Sequence, residues 1–292
     1  MVSVTPRTKH WLRRYDQMCD AAAGTVIGEY STSFSLATKL LPTRERRDIR
    51  NLYAVVRIAD EIVDGTATEA SVTAPQDVLD AYEKQVLNAP EIRFHTDPIM
   101  HAYAATARRC GFAAEHIRAF FASMRRDLHQ NDYSHRDLDA YVYGSAEVIG
   151  LLCLNVFLAD RHISDAERAE MESGARRLGA AFQKVNFLRD LEEDTAELGR
   201  SYFQSYGAIN ETTKQELVDE IRDDLAAAEK AIWLLPFQVR AAVLAAKNLF
   251  GELTEMIAET PAEELVRTRV SVPAHRKAVL TVQAVAQATG RR

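Results

Sequence analysis

The sequence predicts an all-α fold, one helical domain occupying residues 1–292. Three observations predict it. Apolar residues recur with helical period along nearly the whole chain, and no run of alternating residues suggests a strand. Glycine (12) and proline (8) are too sparse for a turn-rich β chain. No composition shift marks a domain boundary, and no repeat of about 20–50 residues appears. With 47% hydrophobic and 27% charged residues, 292 residues supply an ample buried core.

The elements follow in order. Residues 11 to about 40 read as one or two helices broken near Gly28, and Pro42 stops them. Thr43 serves as N-cap for a helix running to Asp64, with Gly65 as its stop. Residues 66–75 form a loop, 76–87 a shorter helix with a polar face, and 88–98 an irregular stretch. Helices over 100–110 and 113–129 are separated by Gly111. Further helices span 138–157, 164 to about 198, 215–235, 237–258 and 273–289.

The charge excludes some functions. A net charge of −6 leaves no basic footprint for nucleic acid. The three cysteines, Cys19, Cys110 and Cys153, are scattered and lack metal-ligand spacing, as expected of reduced thiols in the cytoplasm. Residues 1–24 hold no apolar run of signal-peptide length. The longest apolar stretch, 148–159, is interrupted by Asn155 and is too short to span a bilayer. The expectation is a cytoplasmic protein that a greasy substrate brings transiently to the inner membrane face.

Two acidic clusters about 130 residues apart carry the chemistry: Asp60-Glu61-Ile62-Val63-Asp64 and Asp190-Leu191-Glu192-Glu193-Asp194. Four-residue spacing places both aspartates of each pair on one helix face. Two such faces turned toward each other would hold hard divalent cations, and these would hold a diphosphate. Tyr53, Arg57, Asp60 and Asp64 share one stripe, with an Arg57–Asp60 or Arg57–Glu61 surface pair as the plainer account. Gln183, Asn186, Asp190, Asp194 and Glu197 form a second stripe, with Arg189 and Glu193 off its centre. Amides beside carboxylates suit a site where metal ligands must be oriented and a phosphate oxygen needs a donor. Mg²⁺ (or Mn²⁺ in its place) stabilises a diphosphate leaving group, and the allylic cation left behind needs a dry, apolar, aromatic cavity.

Several stretches together resemble the squalene/phytoene synthase family. Tyr30-Ser31-Thr32-Ser33-Phe34-Ser35 resembles its N-terminal substrate flap, and Tyr53 through Asp64 its first aspartate motif. Tyr141 through Gly150 is similar to its small-residue pocket helix. Phe182 through Asp190 with Glu193-Asp194 and Gly199-Arg200-Ser201-Tyr202-Phe203 resembles the second motif, in wording closest to the bacterial phytoene-forming members. The resemblance implies an isoprenoid-synthase helical bundle with a central cavity. It implies Mg²⁺ held by Asp60, Asp64, Asp190 and Asp194, with Gln183 and Asn186 supporting the second site. Arg57, Arg189 and Arg269 would contact diphosphates, helped by Ser31 and Ser33, with Arg200 and Tyr202 closing the second motif. The implied substrates are two prenyl diphosphates, joined through a cyclopropyl diphosphate into a linear polyene, without NADPH if the last cation loses a proton. Three positions depart from the pattern: Glu61 follows Asp60, Gln204 replaces a common proline, and Phe250 replaces a common tyrosine.

Tyr141 and Tyr143 are either core-edge aromatics or, for Tyr141, a π-face stabilising a cation in the pocket. Gly144, Ser145, Ala146 and Gly150 predict close helix packing. Asp127 reads as a salt-bridged structural acid, with a metal ligand as the alternative, the arginines of 44–50 as a solvated helix start able to meet acidic lipid, and Arg267, Arg269, Arg276 and Lys277 as a positive lid. Thr38, one turn beyond Phe34, and Ala37 leave a deep channel, which favours twenty-carbon over fifteen-carbon substrates. The rival readings are a squalene, dehydrosqualene or presqualene diphosphate synthase using farnesyl diphosphate, a single-substrate terpene cyclase, and a non-catalytic helical lipid-binding protein.

Overall fold

A computed structural model describes residues 10–129, 134–191 and 209–290, and no strand occurs among them. Helix α1 (Trp11–Tyr30) steps Cys19, Ala23 and Ile27 inward. It runs straight through Gly28, and the predicted break falls instead at Ser31, where the backbone turns extended (φ −144°, ψ 105°). A helical glycine costs only about 1 kcal/mol. The Ser31 hydroxyl, by contrast, accepts the Phe34 N–H at 3.2 Å and starts α2 (Thr32–Thr38). Pro42, rather than Thr43, is the N-cap of α3 (Thr43–Val63). Asp64 ends α3 in extended conformation, and Gly65 opens a short helix, α4 (Gly65–Glu69), inside what the sequence reads as a loop.

Helix α5 (Pro75–Asn88) and a 3₁₀ turn at Ala89–Glu91 precede α6 (Pro98–Cys110). The Asp97 carboxylate caps α6 by accepting the Met100 N–H at 2.8 Å, and left-handed Gly111 (φ +61°) ends it. Helix α7 (Ala114–Asp127) is followed by α8 (His135–Val142), a π turn at Tyr143–Glu147, and α9 (Val148–Leu158). A Ser164/Glu167 capping box opens α10 (Asp165–Arg189), which Asp190 closes. The Asn210 side chain caps α11 (Glu211–Ile232), accepting from Thr212 and Thr213, so this helix starts four residues before the expected 215. The chain then forms α12 (Phe237–Glu259), α13 (Ala262–Leu265) and α14 (Ala274–Gly290).

Three apolar clusters hold the helices around a central space. Val185 and Leu188 of α10 meet Leu217 and Ile221 of α11 and Leu249 of α12. Leu52 and Val55 of α3 meet Tyr103, Phe121 and Leu152 of α6, α7 and α9. Leu154 and Leu158 of α9 meet Met171, Ile232, Leu244 and Ala284. Each buried leucine contributes about 1.5–3 kcal/mol. Helices α9 and α10 approach at backbone distance: a Cβ on Gly150 would strike the Ala175 carbonyl, and one on Gly179 the Ala146 carbonyl. The small-residue packing expected from the sequence is thus reciprocal.

Helices α8 and α9 with the π turn form one continuous run, Arg136–Leu158, that is long and apolar enough to cross a membrane by length and composition. The run exceeds the apolar stretch 148–159 because α8 and the π turn precede α9 without a break. Within it, 56% of the most apolar 18-residue window is buried inside the bundle, where Val148, Leu152 and Leu154 belong to the core.

A polar core joins α1, α3 and α6. Asp48 is 1% exposed and accepts from Thr106 Oγ1 at 2.7 Å and from Arg109, while Asn51 donates to Thr106 and Asp20 at 3.1 Å each. Breaking a buried ion pair on one side leaves the other charge uncompensated. Asp48→Ala is therefore expected to lower unfolding stability by about 3–5 kcal/mol, read by urea denaturation.

Candidate active site

A cavity of about 870 Å³ lies between the clusters, and the two acidic stripes face each other across it. Tyr53, Arg57, Asp60 and Asp64 of α3 line one wall; Gln183, Asn186, Arg189 and Asp190 line the other. Asp64 is the C-cap of α3 and Asp190 the C-cap of α10. A helix C-terminus carries partial negative charge, so carboxylates there oppose the helix dipole. Asp64 is at the same time the N-cap of α4, so the opposed dipole bears chiefly on Asp190, which Arg189 and Arg269 offset.

Asp60 shows the strain most clearly. Its side chain keeps 30% of its surface open to the cavity, but protein surrounds it and solvates it as an interior group. Burial, and next the charge of Asp64, push its carboxyl up to about 8, despite Arg57 3.9 Å away. Arg57 also pairs with Glu61 and lies 4.4 Å above the Tyr30 ring. Glu61 is held on the far side by Thr66 and Arg57, so the acid that departs from the family pattern is turned away from the cavity. On the other wall, Arg189 Nε donates to Asp190 at 2.9 Å, and Arg269 Nε pairs with the same carboxylate at 2.9 Å.

The remaining expected residues sort as follows. Ser31 and Ser33 line the cavity, and Lys277 Nζ donates to Thr32 at 2.8 Å, tying α14 to the start of α2. Of the predicted positive lid, Arg269 and Lys277 reach the cavity, whereas Arg276 pairs with Glu252 at 2.6 Å. Tyr141 faces the cavity; Tyr143 is exposed beside Arg176. Asp194, Arg200 and Tyr202, with Glu193, Glu197 and Gln204, lie outside the described residues.

Asp127 stands in the cavity wall. Its neighbours Arg125 and Arg126 turn to Asp80, Glu83 and Asp137. The buried Asp127 carboxylate lines the cavity and accepts the Tyr141 hydroxyl at 2.9 Å. No periodic spacing connects Asp127 with Tyr141, because they sit on different helices.

Below the acids the cavity is apolar. The Phe34 ring lies 6.5, 6.0 and 5.7 Å from Tyr53, Phe182 and Phe250, and the last two rings stack at 3.8 Å. Phe250, where a tyrosine is common, spends its ring on this stack. Cys153 also lines the cavity, and burial pushes its thiol up to about 12, leaving it protonated. Thr38 and Ala37 lie on the wall beside Phe34.

The donor set fits a divalent metal. Asn186 Oδ1 is buried in the cavity wall without a hydrogen-bond partner among the described residues, an acceptor that a cation would satisfy. Asp60, Asp64 and Asp190 are hard oxygen donors of the kind Mg²⁺ prefers. No group of three or more His, Cys, Asp or Glu side chains converges on one point among the described residues.

Proton linkage gives a prediction. Because the folded state raises the Asp60 carboxyl from its ordinary value near 3.8 to about 8, metal-free protein holds a proton there that the unfolded chain releases. Metal-free stability is expected to fall between about pH 4 and pH 8, the window of that shift. Mg²⁺ is expected to restore it at the upper end. Thermal melts at stepped pH, with EDTA and with Mg²⁺, check both parts.

The family model described as squalene/phytoene synthase matches residues 27–203. The 15-cis-phytoene synthase of Synechococcus elongatus is 30% identical over 90% of this chain and 91% of its own. The 4,4′-diapophytoene synthase of Staphylococcus haemolyticus is 30% identical over 71% of this chain and 70% of its own. Among solved structures, a dehydrosqualene synthase with bound ligand superposes with TM-score 0.78 at 22% identity, covering 96% of this chain and 99% of that one. The squalene synthase HpnC of Alicyclobacillus acidocaldarius follows at TM-score 0.72 and 20% identity, covering 90% and 98%.

Proposed function

The chain belongs to the squalene/phytoene synthase family, and from that premise we propose that it joins two geranylgeranyl diphosphates head to head into phytoene. The observation that carries this reading is the polarity of the cavity: acids at the C-terminal ends of α3 and α10, and an aromatic, small-residue channel beneath them. Asp60, Asp64, Asn186 and Asp190 would hold Mg²⁺, with Asp194 completing the set. When bound, Mg²⁺ supplies neutralising charge to the departing diphosphate.

The protein's own groups do the rest. Arg189 and Arg269 face the diphosphate from the second wall, and Lys277 of α14 from beside the flap. Ionisation of one substrate leaves an allylic cation at C1, which the C2–C3 double bond of the second attacks; one proton is lost and the cyclopropyl diphosphate forms. Departure of the second diphosphate, rearrangement and loss of another proton give the polyene, so no reductant is consumed. Tyr141, held by Asp127, and the Phe34–Phe182–Phe250 group present ring faces to the cationic centre and exclude water.

The farnesyl alternative has one specific support, the Staphylococcus relative named for a diapophytoene product. The deciding experiment supplies each diphosphate with Mg²⁺ or EDTA and identifies the hydrocarbon. Phytoene from geranylgeranyl diphosphate, diphosphate release stopped by EDTA, and no response to NADPH are expected. A C30 product made in preference from farnesyl diphosphate would transfer the reading to the alternative.

A further inference from the structure

The cavity has a second end. Leu235, 6% exposed, lines both the central cavity and a separate basin of about 460 Å³ on the bundle surface. Leu158 closes the basin beside it, one residue after the cavity-lining Phe157. The wall between them is thus built of aliphatic side chains. The basin sits far from the acids. Asp165 and Asp190 bound α10 at opposite ends, 25 residues or about 37 Å apart. Arg44, at the start of α3, reaches Asp160 of the basin at 2.8 Å, whereas Asp60 lies 16 residues, about 24 Å, further along the same helix.

The chemistry of this end is the reverse of the acidic mouth. Leu234 and Phe237 are 38% and 37% exposed on its rim. Arg161 and Arg240 line it, and Arg44 stands beside it. Among its described lining residues Asp160 is the one acid, and Arg44 and Arg109 already engage it at 2.8 and 3.0 Å. A chain of net charge −6 therefore gathers arginine around exposed apolar side chains at one place. That combination complements an anionic bilayer surface, with arginines at the head groups and Leu234 and Phe237 in the boundary layer.

We propose that this basin docks on anionic lipid and that the cavity opens into it past Leu235, so that hydrocarbon product leaves directly into the bilayer while diphosphate leaves at the acidic mouth. The inference rests on the proposed reaction for the identity of what passes, since a product without polar groups has no favourable path through carboxylates and water. Docking itself rests only on the rim. Arg161 serves the rim by donating to Gln238 at 3.0 Å, and Arg240 Nε braces the door by donating to the Leu235 carbonyl at 2.7 Å.

The test is vesicle flotation with phosphatidylcholine alone and with added phosphatidylglycerol, using wild type and the Leu234→Asp/Arg161→Glu variant. Wild type is expected to float only with phosphatidylglycerol present, and the variant to bind about tenfold more weakly. Diphosphate release by the variant in detergent is expected to equal wild type. With Leu235→Phe, repeated turnover on vesicles should slow severalfold more than the first turnover does. Binding that is absent from wild type, or unchanged in the double variant, overturns the docking face. Equal slowing of first and later turnovers by Leu235→Phe overturns the exit. Self-association abolished by the double variant, without vesicle binding, would make the occupant a second copy and also overturn the proposal. Vesicle binding through this face by a protein that releases no diphosphate would refute the reaction and leave the docking standing.

Discussion

Asp60→Asn and Asp190→Asn are each expected to lower turnover by roughly 10²–10³-fold, read as diphosphate release from geranylgeranyl diphosphate with Mg²⁺. The two should differ in what else they change. The Asp60 carboxyl, walled in by protein though 30% open, is pushed up to about 8 by desolvation and Asp64, so the amide removes an unfavourable charge. Metal-free Asp60→Asn should therefore melt no lower than wild type at pH 8, which separates lost chemistry from lost folding. Asp190→Asn takes away the carboxylate shared by Arg189 and Arg269 and leaves two guanidinium groups facing the cavity. Its substrate KM should change less than its turnover, because those arginines can still meet a diphosphate. Full turnover in either variant would remove these aspartates from the reaction.

Thr38→Phe is expected to shift the product from forty to thirty carbons. Thr38 is 5% exposed, lines the cavity, and donates its hydroxyl to the Ser35 carbonyl at 3.0 Å. A phenyl ring there would stand one helical turn from Phe34 and fill the channel that, on the proposed reaction, the last isoprene unit would enter. Overpacking of this kind costs about 1–3 kcal/mol, so preference for the twenty-carbon over the fifteen-carbon diphosphate should drop by roughly 10–100-fold. Competition between the two diphosphates, with the extracted hydrocarbons separated by length, measures it. An unchanged product length alongside an unchanged melting curve would mean that chain length is set elsewhere.

Much of the site was legible because its spacing is periodic. Asp60 and Asp64, or Gln183, Asn186 and Asp190, must share a helix face at their separations, and all of them line the cavity. The helices were legible for the same reason, and residues with a local mechanism, such as Ser164 with Glu167 or Asp97, mark true starts. What the sequence misplaced depends on competition or on distance. Gly28 looks like a break, but it is cheaper to carry within α1 than to end a helix there, and Ser31 does the capping. Asp127 and Tyr141 stand on different helices, and no spacing announces the hydrogen bond between them. The link from Lys277 to Thr32 joins residues 245 positions apart, and no local pattern announces it.

The widened turn at Tyr143–Glu147 has a consequence for how this pocket can evolve. One surplus residue there rotates everything before it by about 100° against everything after it. Without the surplus, Tyr141 would swing off its Asp127 anchor, and Leu138 and Val142 would turn with it out of the core, while Leu152 and Leu154 stayed seated. The turn thus acts as a phase adjuster, letting the aromatic and the channel floor be aimed independently on what is otherwise one rod.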